Sequence, residues 1–124
     1  MSAFLKSFSY AFKGISSALK QRNMRIIFIC GIFTVLAAFL LKVRSADWCI
    51  LLICIGLVIS LEMMNCAIEE IVNFISPGFH EKAGKIKDMS AGAVLIMSVF
   101  ALIIGIIILG KYFLEFMYNL TNNQ

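Results

Sequence analysis

The chain has 124 residues, 61% of them hydrophobic, and a mean hydropathy of +0.95, too apolar for a soluble domain of ordinary composition. Its net charge of +4, from 11 Lys and Arg against 7 Asp and Glu, suits anionic lipid headgroups or a phosphorylated ligand and makes nucleic acid a poor partner. One small membrane domain spanning 1–124 is expected, of all-α class, with an N-terminal amphipathic surface helix and three transmembrane helices.

From Phe4 to Arg22 the lysines Lys6, Lys13 and Lys20 recur at seven-residue spacing, with Phe4, Phe8, Ala11, Ile15 and Leu19 opposite them. Cationic and aromatic faces of this kind belong to a helix lying in the headgroup plane. No uninterrupted apolar core precedes a small-residue cleavage site in the first 25 residues, so the first span is expected to act as the insertion signal. Ile26 to Leu41 is an unbroken apolar run, about 24 Å long as a helix, and anchors a first span over 26–43. After a polar turn with Trp48 at its edge, a second span is expected over 48–66 with an extension to 75, where Ser76, Pro77 and Gly78 stop it. A polar loop is expected over 78–89, a third span over 90–110, and a frayed tail from Lys111 onward.

The four cysteines, Cys30, Cys49, Cys54 and Cys66, lie inside apolar runs without metal-ligand spacing, and read as small core or lipid-facing residues. If the surface helix and the 78–89 loop share one side, that side carries eight Lys or Arg residues against three on the other, which makes it cytoplasmic.

The second span breaks its apolar pattern with Glu62, Asn65, Glu69 and Asn73. At about 100° per residue these fall within roughly an 80° sector of one helix face, and ionisable groups at membrane depth are functional by default. Glu62 is 14 residues past Trp48, about 21 Å along the helix, and Glu69 about 10 Å further, so the two acids are expected to divide their roles. A three-helix chain is too small to enclose this stripe alone, so a second copy is expected to cover Glu62 and Asn65. Mg²⁺ is commonly held by one or two carboxylates plus substrate phosphates. Lys85 and Lys87, with the flexible glycines Gly78 and Gly84 before them, are candidates to clamp phosphate oxygens, while an acid near a lipid hydroxyl accepts its proton. The Walker-type GxxxxGK[ST] is absent, which excludes an ordinary P-loop kinase.

The runs SLEMMNCAIE and GKIKDMSAGAVL, with the earlier SFSYAFKGI and QRNMR, resemble the small bacterial membrane kinases of the diacylglycerol kinase and undecaprenol kinase family, over about residues 6–109. The resemblance implies a homotrimer that phosphorylates a membrane lipid alcohol with ATP and Mg²⁺, on the cytoplasmic side of the bacterial inner membrane, with sites shared between neighbouring subunits. By position it makes Glu62 the catalytic base, places Asn65, Asn23 and Met24 with it at the lipid, and gives Glu69 to the metal held with ATP. Tyr10, Lys87 and Asp88, and more loosely Gly78, Phe79 and His80, match nucleotide contacts. Gln21 stands where the family usually has a metal-binding Glu, and Asn73 where it often has Asp; Gln21 binds a cation more weakly through its carbonyl oxygen.

The phrases QRNM, SLEMMN and SAGAV look more like the undecaprenol kinases, with diacylglycerol as the alternative substrate. Two readings of other classes stand beside these: a small proton-coupled exporter with Glu62 as the carrier, and a non-catalytic membrane assembly protein.

Overall fold

The computed structural model describes residues 3–122, which form four helices: α1 (Ala3–Ala18), α2 (Arg22–Leu40), α3 (Ser45–Ile75) and α4 (Glu81–Asn122). Helices α2, α3 and α4 are each long and apolar enough to cross a membrane. Helix α3 is the hub, packing against each of the other three, and its contact with α4 is the most extensive in the chain.

Sequence periodicity explains that pairing. On α3 the buried and half-buried positions Asp47, Leu51, Cys54, Val58, Glu62, Asn65, Glu69 and Val72 recur at spacings of three and four. On α4 the same spacing links Ala83, Lys87, Ser90, Val94, Met97 and Ala101, and Ile108 and Tyr112 continue the row. Two such rows meet along a seam when helices cross at a shallow angle. Helix α2 comes close to α3 at Gly31, where an added Cβ would lie 3.2 Å from Ile55 Cγ2, so the missing side chain is what permits the approach.

The α2–α3 turn is a Schellman closure: Lys42 N–H donates to Phe39 O at 3.2 Å and Val43 N–H to Ala38 O at 3.1 Å. Lys42 takes the left-handed conformation, with φ of 52°, at a position that usually holds Gly. Val43 and Ala38 share a buried cluster with Leu51, Ile108 and Tyr112, which supplies the apolar contact typical of this closure.

Several boundaries differ from the sequence reading. The first helix ends at Ala18 rather than Arg22, because a tight turn over Leu19–Gln21 intervenes. Helix α2 then starts at Arg22, four residues before the apolar run, with Gln21 in extended conformation as its N-cap. Residues 81–89, expected as loop, are the first turns of α4, and 111–122, expected as a frayed tail, are its last. Charge was mistaken for irregularity in both places. Lys, Glu and Ala are good helix formers whatever their polarity, Glu81 suits the first turn of a helix, and the α3-facing row of α4 runs on unbroken through Ala83 and Lys87.

Candidate functional site

The inner half of the α3 seam is where the apolar row turns polar. Glu62 is 3% exposed and Asn65 5% exposed, and both sit on the face that carries Leu51, Cys54 and Val58 further along the helix. Asn65 Nδ2 donates to Glu69 Oε1 at 3.5 Å, the i to i+4 reach of one helical turn. Its other polar atom, Oδ1, is buried without a hydrogen-bond partner, an arrangement that costs about 1–3 kcal/mol in a finished protein interior. A lone acceptor beside a buried carboxylate is the chemistry that receives a hydroxyl donor or a hard cation.

A second contact fixes the end of the seam. Lys87 Nζ donates to Asn73 Oδ1 at 2.6 Å, so α4 brings a cation to the turn of α3 that follows Glu69. Glu69 is half-buried and Asn73 exposed, so the stripe opens progressively toward this end. Glu62 lies 11 residues from Asn73 and 15 from Asp47, about 16 Å and 22 Å along α3, whereas Glu69 is only about 6 Å from Asn73.

The helical start of α4 corrects the proposed phosphate clamp. Residues two apart on a helix point in nearly opposite directions, so Lys85 and Lys87 do not converge on one phosphate. Lys85 is exposed, and Lys87 is half-buried on the α3-facing row. Gly84 is helical, its N–H donating to His80 O at 3.0 Å, and is not a flexible loop residue.

The remaining sequence candidates are spread along this end of the molecule. Gly78, Phe79 and His80 are exposed in the α3–α4 connection, and Asp88 is exposed on α4. His80 also lines a cavity of about 370 Å³ with Val72, Ile75, Ser76, Ala83 and Ile86. Tyr10 is 67% exposed on α1, with the Lys13 ammonium 5.6 Å from its ring centroid. Gln21 is half-buried at the α1–α2 junction, Asn23 is exposed, and Met24 at 1% exposure is sealed into the packing of α2.

The structure also corrects the reason given for a second copy. One chain buries Glu62 and Asn65 by itself, at 3% and 5% exposure; it is the Glu69–Asn73 end that stays more open. Below Glu62, α2, α3 and α4 leave an apolar cleft of about 750 Å³, lined among others by Cys30, Thr34, Val58, Ser98, Gly105 and Phe113. Val58, on the wall of this cleft, is one helical turn from Glu62. Among the described residues no three His, Cys, Asp or Glu side chains converge on a metal position. Carboxylate and amide oxygens, Glu69 and the unpaired Asn65 Oδ1 among them, still fit a hard cation that takes its other ligands from a nucleotide.

A helical membrane protein with a buried carboxylate, an unpaired amide oxygen and a lysine at the open end of one seam has the parts of a group-transfer site at the bilayer surface. Residues 9–109 match the family model described as prokaryotic diacylglycerol kinase, and the chain belongs to that family. It is similar to the undecaprenol kinase of Bacillus subtilis, 35% identical over 87% of this chain and 89% of that protein. It is also similar to the diacylglycerol kinase of Escherichia coli K12, 32% identical over 88% of this chain and 90% of the relative. A third relative, the diacylglycerol kinase of Synechocystis, is 39% identical over 82% of this chain, which spans 59% of that longer protein.

Proposed function

We propose that this membrane lipid kinase transfers the terminal phosphoryl group of ATP to the hydroxyl of undecaprenol. The observation that carries the reading is the buried pair Glu62 and Asn65, one helical turn beyond Val58 on the wall of an apolar cleft, which offers a proton acceptor and an unpaired hydrogen-bond acceptor for a lipid alcohol. The 35% identity to an undecaprenol kinase over most of both chains supports the substrate. Diacylglycerol is the second substrate, favoured by the relatives named for it.

In this mechanism ATP bound with Mg²⁺ supplies the phosphoryl group and a cation that offsets its charge. Glu62 accepts the proton of the lipid hydroxyl, within reach of Asn65. Glu69, about 10 Å further along α3, holds the metal, with Gln21 as a weaker oxygen donor. Lys87, with Asp88 and more loosely Tyr10, Gly78, Phe79 and His80, meets the nucleotide, while Asn23 lies on the lipid side and Met24, at 1% exposure, contributes packing beside it. Helix α1 lies in the headgroup plane, the α3–α4 connection faces the cytoplasm, and 1–124 forms one catalytic domain. Incubation of the purified protein in mixed micelles with labelled ATP, Mg²⁺ and either lipid tests the reading. Label in polyprenyl phosphate is expected; label in phosphatidic acid alone would favour diacylglycerol, and none with either lipid would overturn a lipid kinase in favour of an exporter or assembly protein.

The functional unit is a homotrimer in this reading, supported by the family resemblance and by the open Glu69–Asn73 end of the stripe, which a neighbouring subunit would complete. Native mass measurement in gentle detergent is expected to find trimers carrying the activity. Fully active monomers would rule the shared site out.

Gln21 gives a separate test of the metal assignment. The Gln21→Glu variant is expected to reach half-maximal rate at lower Mg²⁺, because it adds a hard anionic oxygen, with lipid half-saturation unchanged. An unchanged or raised Mg²⁺ requirement would remove Gln21 from the metal shell.

A further inference from the structure

The seam ends in a second polar group far from Glu62. Tyr112 is 7% exposed; its hydroxyl donates to Asp47 Oδ2 at 2.6 Å and accepts the Arg44 N–H at 3.2 Å. The first is a short O–H···O hydrogen bond. Trp48, Leu41, Ile104 and Leu109 pack around the cluster that holds Tyr112. One hydroxyl therefore joins α4, the first turn of α3 and the residue that caps α3. Tyr112 lies three residues beyond the stretch matched by the family model, which ends at 109.

Helices α3 and α4 run antiparallel, and their two polar pairs are evenly matched. Asp47 to Asn73 is 26 residues and Lys87 to Tyr112 is 25, about 39 Å and 38 Å along the two axes. Both pairs close at a single axial register. Between them α4 presents Ser90, Val94, Met97, Ala101 and Ile108, a row whose apolar contacts are non-directional and fix the axial register less sharply than a hydrogen bond does. A slip of one turn, about 5.4 Å, would part Lys87 from Asn73 at the open end and leave the buried Tyr112 hydroxyl without its partners at the other, where a buried partnerless group is costly.

We propose that Tyr112 is a positioning residue for the opposite end of the molecule: through Asp47 and Arg44 it sets the register of α4 on α3, and so holds Lys87 against Asn73, with Asp88 beside it in the chain, about 38 Å away. The kinetic part of this inference rests on the lipid-kinase reading, whereas the register itself does not.

Two measurements on the full chain test it. Tyr112→Phe is expected to raise the half-saturating Mg-ATP concentration several-fold while lipid half-saturation stays near that of the unaltered protein; Asp47→Asn, which retains an acceptor for the hydroxyl, is expected to behave like the unaltered protein. A purely structural role would lower yield or melting temperature and leave the nucleotide half-saturation of the folded fraction unmoved. The second measurement replaces the four native cysteines by Ala and introduces Ile75→Cys and Ala83→Cys, two positions that line one small cavity. Their oxidative cross-linking is expected to slow when Tyr112→Phe is added, and this readout survives even if the protein proves not to phosphorylate lipids. Should Tyr112→Phe not accumulate, Asp47→Val removes the same bond from the other side. Unchanged nucleotide half-saturation, unchanged cross-linking, or an equal rise for nucleotide and lipid overturns the proposal.

Discussion

Replacing Glu62 by Gln is expected to lower turnover by roughly 10²- to 10⁴-fold, the contribution usual for a positioned general base. Glutamine has nearly the same shape, so the packing around a side chain that is 3% exposed is preserved and the loss reports chemistry. Nucleotide half-saturation is expected to stay close to that of the unaltered protein, because Glu62 is about 16 Å along α3 from Asn73 and the Lys87 contact. Steady-state kinetics with each substrate varied in turn separates the two effects. Full turnover in Glu62→Gln would remove Glu62 from the reaction and leave it as a buried structural acid.

The second large effect is expected at Glu69. Glu69→Gln keeps an oxygen for the Asn65 amide but loses the negative charge that a hard cation prefers. Loss of an outer partner of a metal site already costs roughly 10- to 100-fold in metal affinity, and loss of a direct ligand is expected to cost at least as much in Mg-ATP half-saturation. Lipid half-saturation is expected to change little. Direct nucleotide-binding measurements on both variants decide whether the roles are divided: equal loss in Glu62→Gln and Glu69→Gln would mean that the acids act as one site, against their seven-residue separation.

The three spans and the polar stripe were legible in the sequence because both are periodic signals carried by a single helix. Apolar run length located α2 and the central part of α4, and the spacing of Glu62, Asn65 and Glu69 put them on one face of α3. Whether that face turns inward within one chain depends on α4. The row from Ala83 to Tyr112 on α4 shows only once α4 is treated as one helix, and the charges at 81–88 hide that continuity. The same error paired Lys85 with Lys87, which a loop would allow and a helix does not. Contacts such as Lys87 with Asn73 and Tyr112 with Asp47 join residues 14 and 65 positions apart. Neither pair stands out by local pattern.

The length of α4 has a practical consequence. Its 42 residues extend about 63 Å, whereas a bilayer with its headgroups is about 40–45 Å thick. The ten residues after Tyr112 carry the helix about 15 Å past the Asp47 contact, at the end opposite to Lys87. Exposed Thr121, whose hydroxyl donates only to the Met117 carbonyl one turn back, is thus a natural attachment point for a fluorophore or an immobilising linker. A label there stands at the opposite end of α4 from Lys87, so single molecules can be tethered by it while the Lys87 end stays open to solution.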